Sequence, residues 1–135
     1  MAYFEWEDEF SIGVPRIDRQ HMRLIEIIND LHDAMRERKG PETLRDLVDE
    51  MAVYAASHFS LEERLMLKHN YPRMRGHKLQ HELFTQKVMD LQKRIEEKTL
   101  VLSLEVITFL RDWWTTHILS SDRAMGAFLS LREVQ

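Results

Sequence analysis

The chain has 135 residues and a net charge of −4, with 44% hydrophobic and 31% charged residues and no cysteine. One domain with a substantial core fits that length, while disulfides, thiolate zinc sites and iron–sulfur clusters are excluded. No apolar run approaches the roughly 18 residues of a membrane span, the start MAYFEWEDEF lacks the order of a secretory signal, and the cations are scattered, so a cytoplasmic protein without membrane insertion or nucleic-acid partner is expected.

Residues 1 to 17 carry Trp6, Phe10, Ile12 and Val14 without helical periodicity and read as an N-terminal arm that lays apolar side chains across the rest. A first helix is predicted over about 18 to 39, with Asp18 as N-cap, Gly40-Pro41 as stop, and Leu24, Ile25, Ile28, Leu31 and Met35 as its apolar stripe. A second, over about 42 to 70, places Leu44, Leu47, Val48, Met51, Tyr54 and Ala55 on one side and ends at Asn70-Tyr71-Pro72. The third, about 74 to 98, has the most regular seam: His77, His81, Phe84, Val88, Leu91 and Ile95. The fourth, about 102 to 131, turns Val106, Leu110, Trp113 or Trp114, His117, Ser121 and Met125 inward. Short connections make consecutive helices antiparallel. The expected fold is all-α, an up-down-up-down antiparallel four-helix bundle with an N-terminal arm, spanning 1 to 135 as one domain.

The apolar stripes are interrupted by ligand-type side chains. His21 belongs to the stripe of the first helix; HFSLE puts His58 and Glu62 one turn apart on the second; HKLQH opens the seam of the third; WWTTHILSSD adds His117 and Asp122 on the fourth. At about 1.5 Å per residue in antiparallel helices, these seven converge on one end of the bundle. A lone histidine on a core stripe is more often a hydrogen-bonded core residue than a ligand. Burying five histidines and two carboxylates at one level without partners, however, costs several kcal/mol each, against a total stability of roughly 5 to 15 kcal/mol. A bound metal resolves that conflict. His32, about three turns beyond His21, and His69, at the end of the second helix, read as surface or capping residues. The spacing of His117 and Asp122 stays open. Five residues leave about 140° between them on a regular α-helix, so either the two point in different directions or a π-bulge brings them together.

Imidazole and carboxylate without thiolate suit iron, manganese, zinc or copper. Seven ligands exceed one ion. Two octahedral ions, five histidines, two bridging carboxylates and one bridging solvent oxygen leave a single position open, which marks a functional rather than a purely structural site.

These residues resemble the hemerythrin family, in particular its single-domain bacterial members, over essentially the whole chain. The resemblance rests on Trp6, Ile12-Gly13-Val14, Ile17-Asp18 and Gln20-His21, then HFSLEE, Tyr71-Pro72, HKLQH and WWTTHILSSD. It implies a non-heme di-iron centre with an oxo or hydroxo bridge. His77, His81 and His117 would bind one iron, His21 and His58 the other, and Glu62 and Asp122 would bridge them. The implied activity is reversible O2 binding as hydroperoxide, for storage, transport or delivery to an oxygen-consuming enzyme, with nitric oxide or azide as alternative ligands and a reductase as a second kind of partner. A monomer without enzymatic turnover is the corresponding expectation. Such a site must exclude water, and the matching pocket positions are Leu24, Phe59, Met66, Trp113, Trp114 and Ile118, each also accounted for by plain core packing. Family members commonly carry an aliphatic residue where this chain has Trp114, which is therefore expected to narrow ligand access and slow autoxidation. The competing readings are a di-iron oxidase, peroxidase or nitric oxide-handling enzyme, and an O2 or redox sensor. Ferritin-like di-iron enzymes use E-x-x-H motifs, and none occurs here.

Overall fold

The computed structural model describes residues 2–97 and 104–132. Helix α1 spans Pro15–Arg36, α2 Pro41–Lys68, α3 Met74–Glu96, α4 Leu104–His117 and α5 Arg123–Ser130. A π-helical turn, Ile118–Asp122, joins α4 to α5 with helical dihedrals at both of its edges, so the three segments form one continuous helix. The described residues contain no strand. The end of the third helix at 98 and the start of the fourth at 102, as expected above, lie outside the described residues.

Apolar periodicity determines which faces meet. Leu24, Ile28 and Leu31 of α1, Val48 and Met51 of α2, Phe84 and Val88 of α3, and Ile107, Leu110 and Trp114 of α4 are buried in one core. Helix α1 packs against α2 and α4, and α2 against α3. The start of α1 meets the end of α2, since the Nε2 atoms of His21 and His58 are 3.0 Å apart. The end of α2 in turn meets the start of α3, where His81 Nε2 lies 3.0 Å from Glu62. These pairings make the bundle antiparallel.

Helix α1 begins earlier than the sequence suggested, and Asp18 is not its cap. Pro15 takes the first helical position, where a fixed φ and a missing N–H cost nothing. Asp18 instead lies inside α1 and holds the arm: Oδ1 accepts the Ile12 N–H at 2.9 Å and Oδ2 the Ser11 hydroxyl at 2.7 Å. Asn29 holds the arm's other end, accepting the Phe4 N–H at 2.7 Å and donating to the Phe4 carbonyl at 2.8 Å. Between these two points a 3-10 turn, Asp8–Phe10, lets Phe4, Phe10, Ile12 and Val14 enter the core. The arm then presses on α5 at Gly126, where a β-carbon would lie 2.1 Å from the Ile12 carbonyl oxygen.

Two inner positions of the last helix also differ from the expectation. Val106 is half-buried while Ile107 is fully buried. Ser121 is turned outward and Asp122 is fully buried in its place, because the π turn absorbs one residue.

Candidate metal centre

Each helix contributes its donors where its apolar stripe crosses one end of the bundle. His21 comes from the second turn of α1, His58 and Glu62 from α2, His77 and His81 from the first two turns of α3, His117 from the end of α4, and Asp122 from the π turn. All seven are buried, with Glu62 and Asp122 both at 0% exposure. The π turn settles the spacing left open by the sequence: His117 Nε2 lies 3.1 Å from Asp122 Oδ1. Hydroxyls of Thr115 and Ser120 bond carbonyls one turn back, a pattern that loosens a helix locally.

The two carboxylates form the centre of the cluster. Asp122 lies 2.9 Å from His21 and 3.0 Å from His77, and Glu62 lies 3.2 Å from both His58 and His77. Despite such distances, Glu62 Oε2, both Asp122 oxygens, and Nε2 of His81 and His117 have no hydrogen-bond partner. Their lone pairs converge on common points instead of on one another. Orphaned buried acceptors at this density are expensive unless a cation is shared among them, so the cluster fits a metal. The donor atoms fall into two groups, each with all its atoms within 4.8 Å of one another. Glu62, His77, His81, His117 and Asp122 make one, and His21, His58, Glu62 and Asp122 the other, with both carboxylates in common.

Electrostatics in the metal-free cluster point the same way. Burial and the neighbouring Asp122 charge push Glu62 up, but His58 and His77 outweigh them and hold it well below the ordinary carboxylate range. Asp122 is likewise held low by His117, His21 and His77 against the cost of burial. Burial pulls His77 down, yet its contacts with Asp122 and Glu62 raise it to about 9. His21 is raised by Asp122 against the same cost. Burial dominates at His58, which is lowered. Imidazole and carboxylate charges thus offset one another where a cation would sit.

Three polar residues that sequence reasoning gave no role orient the imidazoles. His58 Nδ1–H donates to Gln20 Oε1 at 2.6 Å, His81 Nδ1–H to Glu63 Oε2 at 2.8 Å, and His117 Nδ1–H to Gln80 Oε1 at 2.8 Å. Placing the proton on Nδ1 leaves the Nε2 lone pair for a metal. A signal was present: each supporting residue adjoins one donor in sequence and serves a donor on a different helix.

Aromatic rings close the site. Phe59 stacks on His81 at 3.9 Å and Trp113 on His117 at 4.6 Å. Trp114 is fully buried against the other pair, 5.9 Å from the His58 ring and 6.5 Å from that of His21, and its indole N–H has no acceptor. Leu24, Met66 and Ile118 are buried in the same core. The two remaining histidines stay apart: His69 caps α2, and His32 stacks on Tyr3 at 4.1 Å, half-buried.

The sequence profile of the hemerythrin HHE cation-binding domain matches residues 12–129. The chain belongs to the hemerythrin family. This is a non-heme di-iron, oxygen-binding family. Among relatives, the bacteriohemerythrin of Stenotrophomonas maltophilia is 36% identical over 124 residues, covering 92% of this chain and 80% of that protein. The bacteriohemerythrin of Methylococcus capsulatus is 31% identical over 131 residues, covering 96% and 99%. A crystal structure of wild-type hemerythrin superposes with a TM-score of 0.90 at 29% identity, covering 96% of this chain and 99% of that one. The hemerythrin fold and a buried cluster able to bind metal are therefore common ground between residue chemistry and kinship.

Proposed function

We propose that the chain is a reversible O2 carrier whose site holds two iron ions. His77, His81 and His117 would hold one ion, His21 and His58 the other, with Glu62 and Asp122 shared. One observation carries this reading: two donor groups share both carboxylates but differ by one histidine, so the smaller group has room for an exogenous ligand. When bound, the iron pair supplies the electrons that O2 takes up and returns.

The residues of the chain supply the rest. Gln20, Glu63 and Gln80 fix three imidazoles in the ligating tautomer. Trp114, Phe59, Leu24 and Ile118 keep water from the pair, which limits irreversible oxidation. Trp114 stands beside the two-histidine group and narrows access to it. The role we assign is cytoplasmic storage of O2, or its delivery to an oxygen-consuming enzyme, by a monomer that performs no turnover of its own. Anaerobic reduction followed by O2 admission, watched by visible absorption, tests this. A band that forms with O2 and disappears under argon supports carriage, whereas irreversible oxidation within one cycle favours an oxidase. Metal analysis of the same sample should give two irons per chain; a single zinc would overturn the centre.

A further inference from the structure

The three side chains that orient imidazoles are not held alike. Glu63 presents an oxygen to His81 whichever way its carboxylate turns, and Gln20 is half-buried, but Gln80 is exposed and its amide has two unlike ends. Packing does not fix an exposed glutamine, so hydrogen bonds must. The Gln80 Oε1 atom accepts two of them, from His117 Nδ1–H at 2.8 Å and from the Ser121 hydroxyl at 2.7 Å. We infer that Ser121 is a positioning residue of the metal centre, whose hydroxyl holds the Gln80 carbonyl against His117 and so keeps the His117 Nε2 lone pair free for a metal.

The direction of the His117 bond follows from its acceptor and not from any bound ion. An amide carbonyl only accepts, so the ring nitrogen 2.8 Å from it carries the proton and the opposite nitrogen keeps its lone pair. That nitrogen, Nε2, is buried without a hydrogen-bond partner, 3.1 Å from Asp122 Oδ1. Turning the Gln80 amide over would bring its NH2 group to the ring. His117 would then keep the bond only by accepting through Nδ1 and carrying its proton on Nε2, where it blocks ligation. The Ser121 hydroxyl opposes that turn, since it loses the carbonyl to which it donates.

The backbone places the serine for this task. Gln80 belongs to α3, while Ser121 lies within the π turn Ile118–Asp122. His117 and Ser121 both reach one side chain of α3, yet Asp122, the next residue, is directed into the cluster at 0% exposure. One turn thus supplies a donor through Asp122 and supports a second donor through Ser121. The inference deepens the proposed metal reading and rests on it, because the His117 tautomer matters to function only where Nε2 binds a cation.

The experiment compares the full parent chain with Ser121→Ala, Ser121→Thr, Gln80→Ala and the double variant Ser121→Ala with Gln80→Ala. Iron(II) affinity is measured by titration against a competing chelator. In the iron-loaded chains, the exchangeable imidazole N–H resonances are followed for position and for rate of exchange with water. Ser121→Ala is expected to weaken binding of one of the two ions about fivefold, the worth of a single hydrogen bond, and to shift and speed the exchange of one N–H resonance alone. Gln80→Ala should weaken the same ion about 10- to 100-fold. Adding Ser121→Ala to it should change nothing further, since the serine acts through the glutamine. Ser121→Thr keeps the hydroxyl and should restore the parent values. Parent-like affinity and exchange in Ser121→Ala, additive losses in the double variant, or a loss that Ser121→Thr does not restore would each overturn this inference and leave the metal reading intact. A parent chain that takes up no iron overturns both.

Discussion

At the scale of single residues, the burial and clustering of seven ligand-type side chains were legible because such side chains are costly on an apolar stripe. Their supporting residues were missed, since adjacency to a donor does not say which imidazole on another helix Gln20, Glu63 and Gln80 will meet. Gln20 is the sharpest test. Gln20→Leu leaves the His58 Nδ1–H without its acceptor at 2.6 Å, and metal affinity at the two-histidine group should fall about 10- to 100-fold. Titration with iron(II) against a competing chelator measures this, and the three-histidine group, supported separately by Glu63 and Gln80, should be little affected. Trp114 was singled out in the sequence, but whether it or Trp113 faced inward was not, because adjacent residues straddle a helical stripe. The structure buries Trp114 fully and Trp113 in part. Trp114→Leu should therefore speed both azide binding and autoxidation, as followed by stopped-flow absorption. Unchanged rates would remove Trp114 from the access route.

At the scale of elements, periodicity located the four helices, and their register at the site followed from antiparallel order. Two features escaped. Asp18 carries the signature of an N-cap, and nothing local distinguishes a carboxylate that caps its own helix from one that binds an arm folded back on it. The spacing of His117 and Asp122 admitted two backbone solutions, and only coordinates separate them. The arm itself was visible as apolar residues without a period, but its point of contact was not. Gly126→Ala tests that contact, since the added methyl meets main chain, 2.1 Å from the Ile12 carbonyl oxygen, and not a side chain that could turn aside. The chain should lose roughly 1 to 3 kcal/mol of stability, read as a lower melting temperature at unchanged iron content.

At the scale of the whole molecule, the metal-free cluster is a set of opposed charges whose balance depends on pH. Glu62 and Asp122 are lowered from 4.5 and 3.8, so their contribution to stability is present above those values and is lost as pH falls. His77 is raised from 6.5 to about 9, so its contribution is complete below 6.5 and is lost as pH rises through 9. The lowered His58 adds to the loss on the acid side. Thermal unfolding of the metal-free chain should accordingly show a falling melting temperature between pH 6.5 and 9. Metal replaces the protons that cause this behaviour. Iron(II) uptake near neutrality should release protons, measurable with an indicator dye, and the loaded chain should melt well above the metal-free one. Equal melting temperatures would contradict the depth at which the donors are buried.

The last helix is in effect written in two reading frames. Ile107, Leu110 and Trp114 keep one inward phase, and Asp122, Gly126 and Leu129 keep another, offset by about a single residue that the turn at Ile118–Asp122 takes up. Removing Ser120 should merge the frames and leave the bundle folded, with Asp122 drawn back along the axis by about 1.5 Å and metal binding impaired. Removing Arg111 from α4 has no such outlet: one half of the helix must rotate by about 100°, and its apolar side chains leave the core. A helix that elsewhere tolerates no change of length therefore carries its one adjustable joint at the metal site.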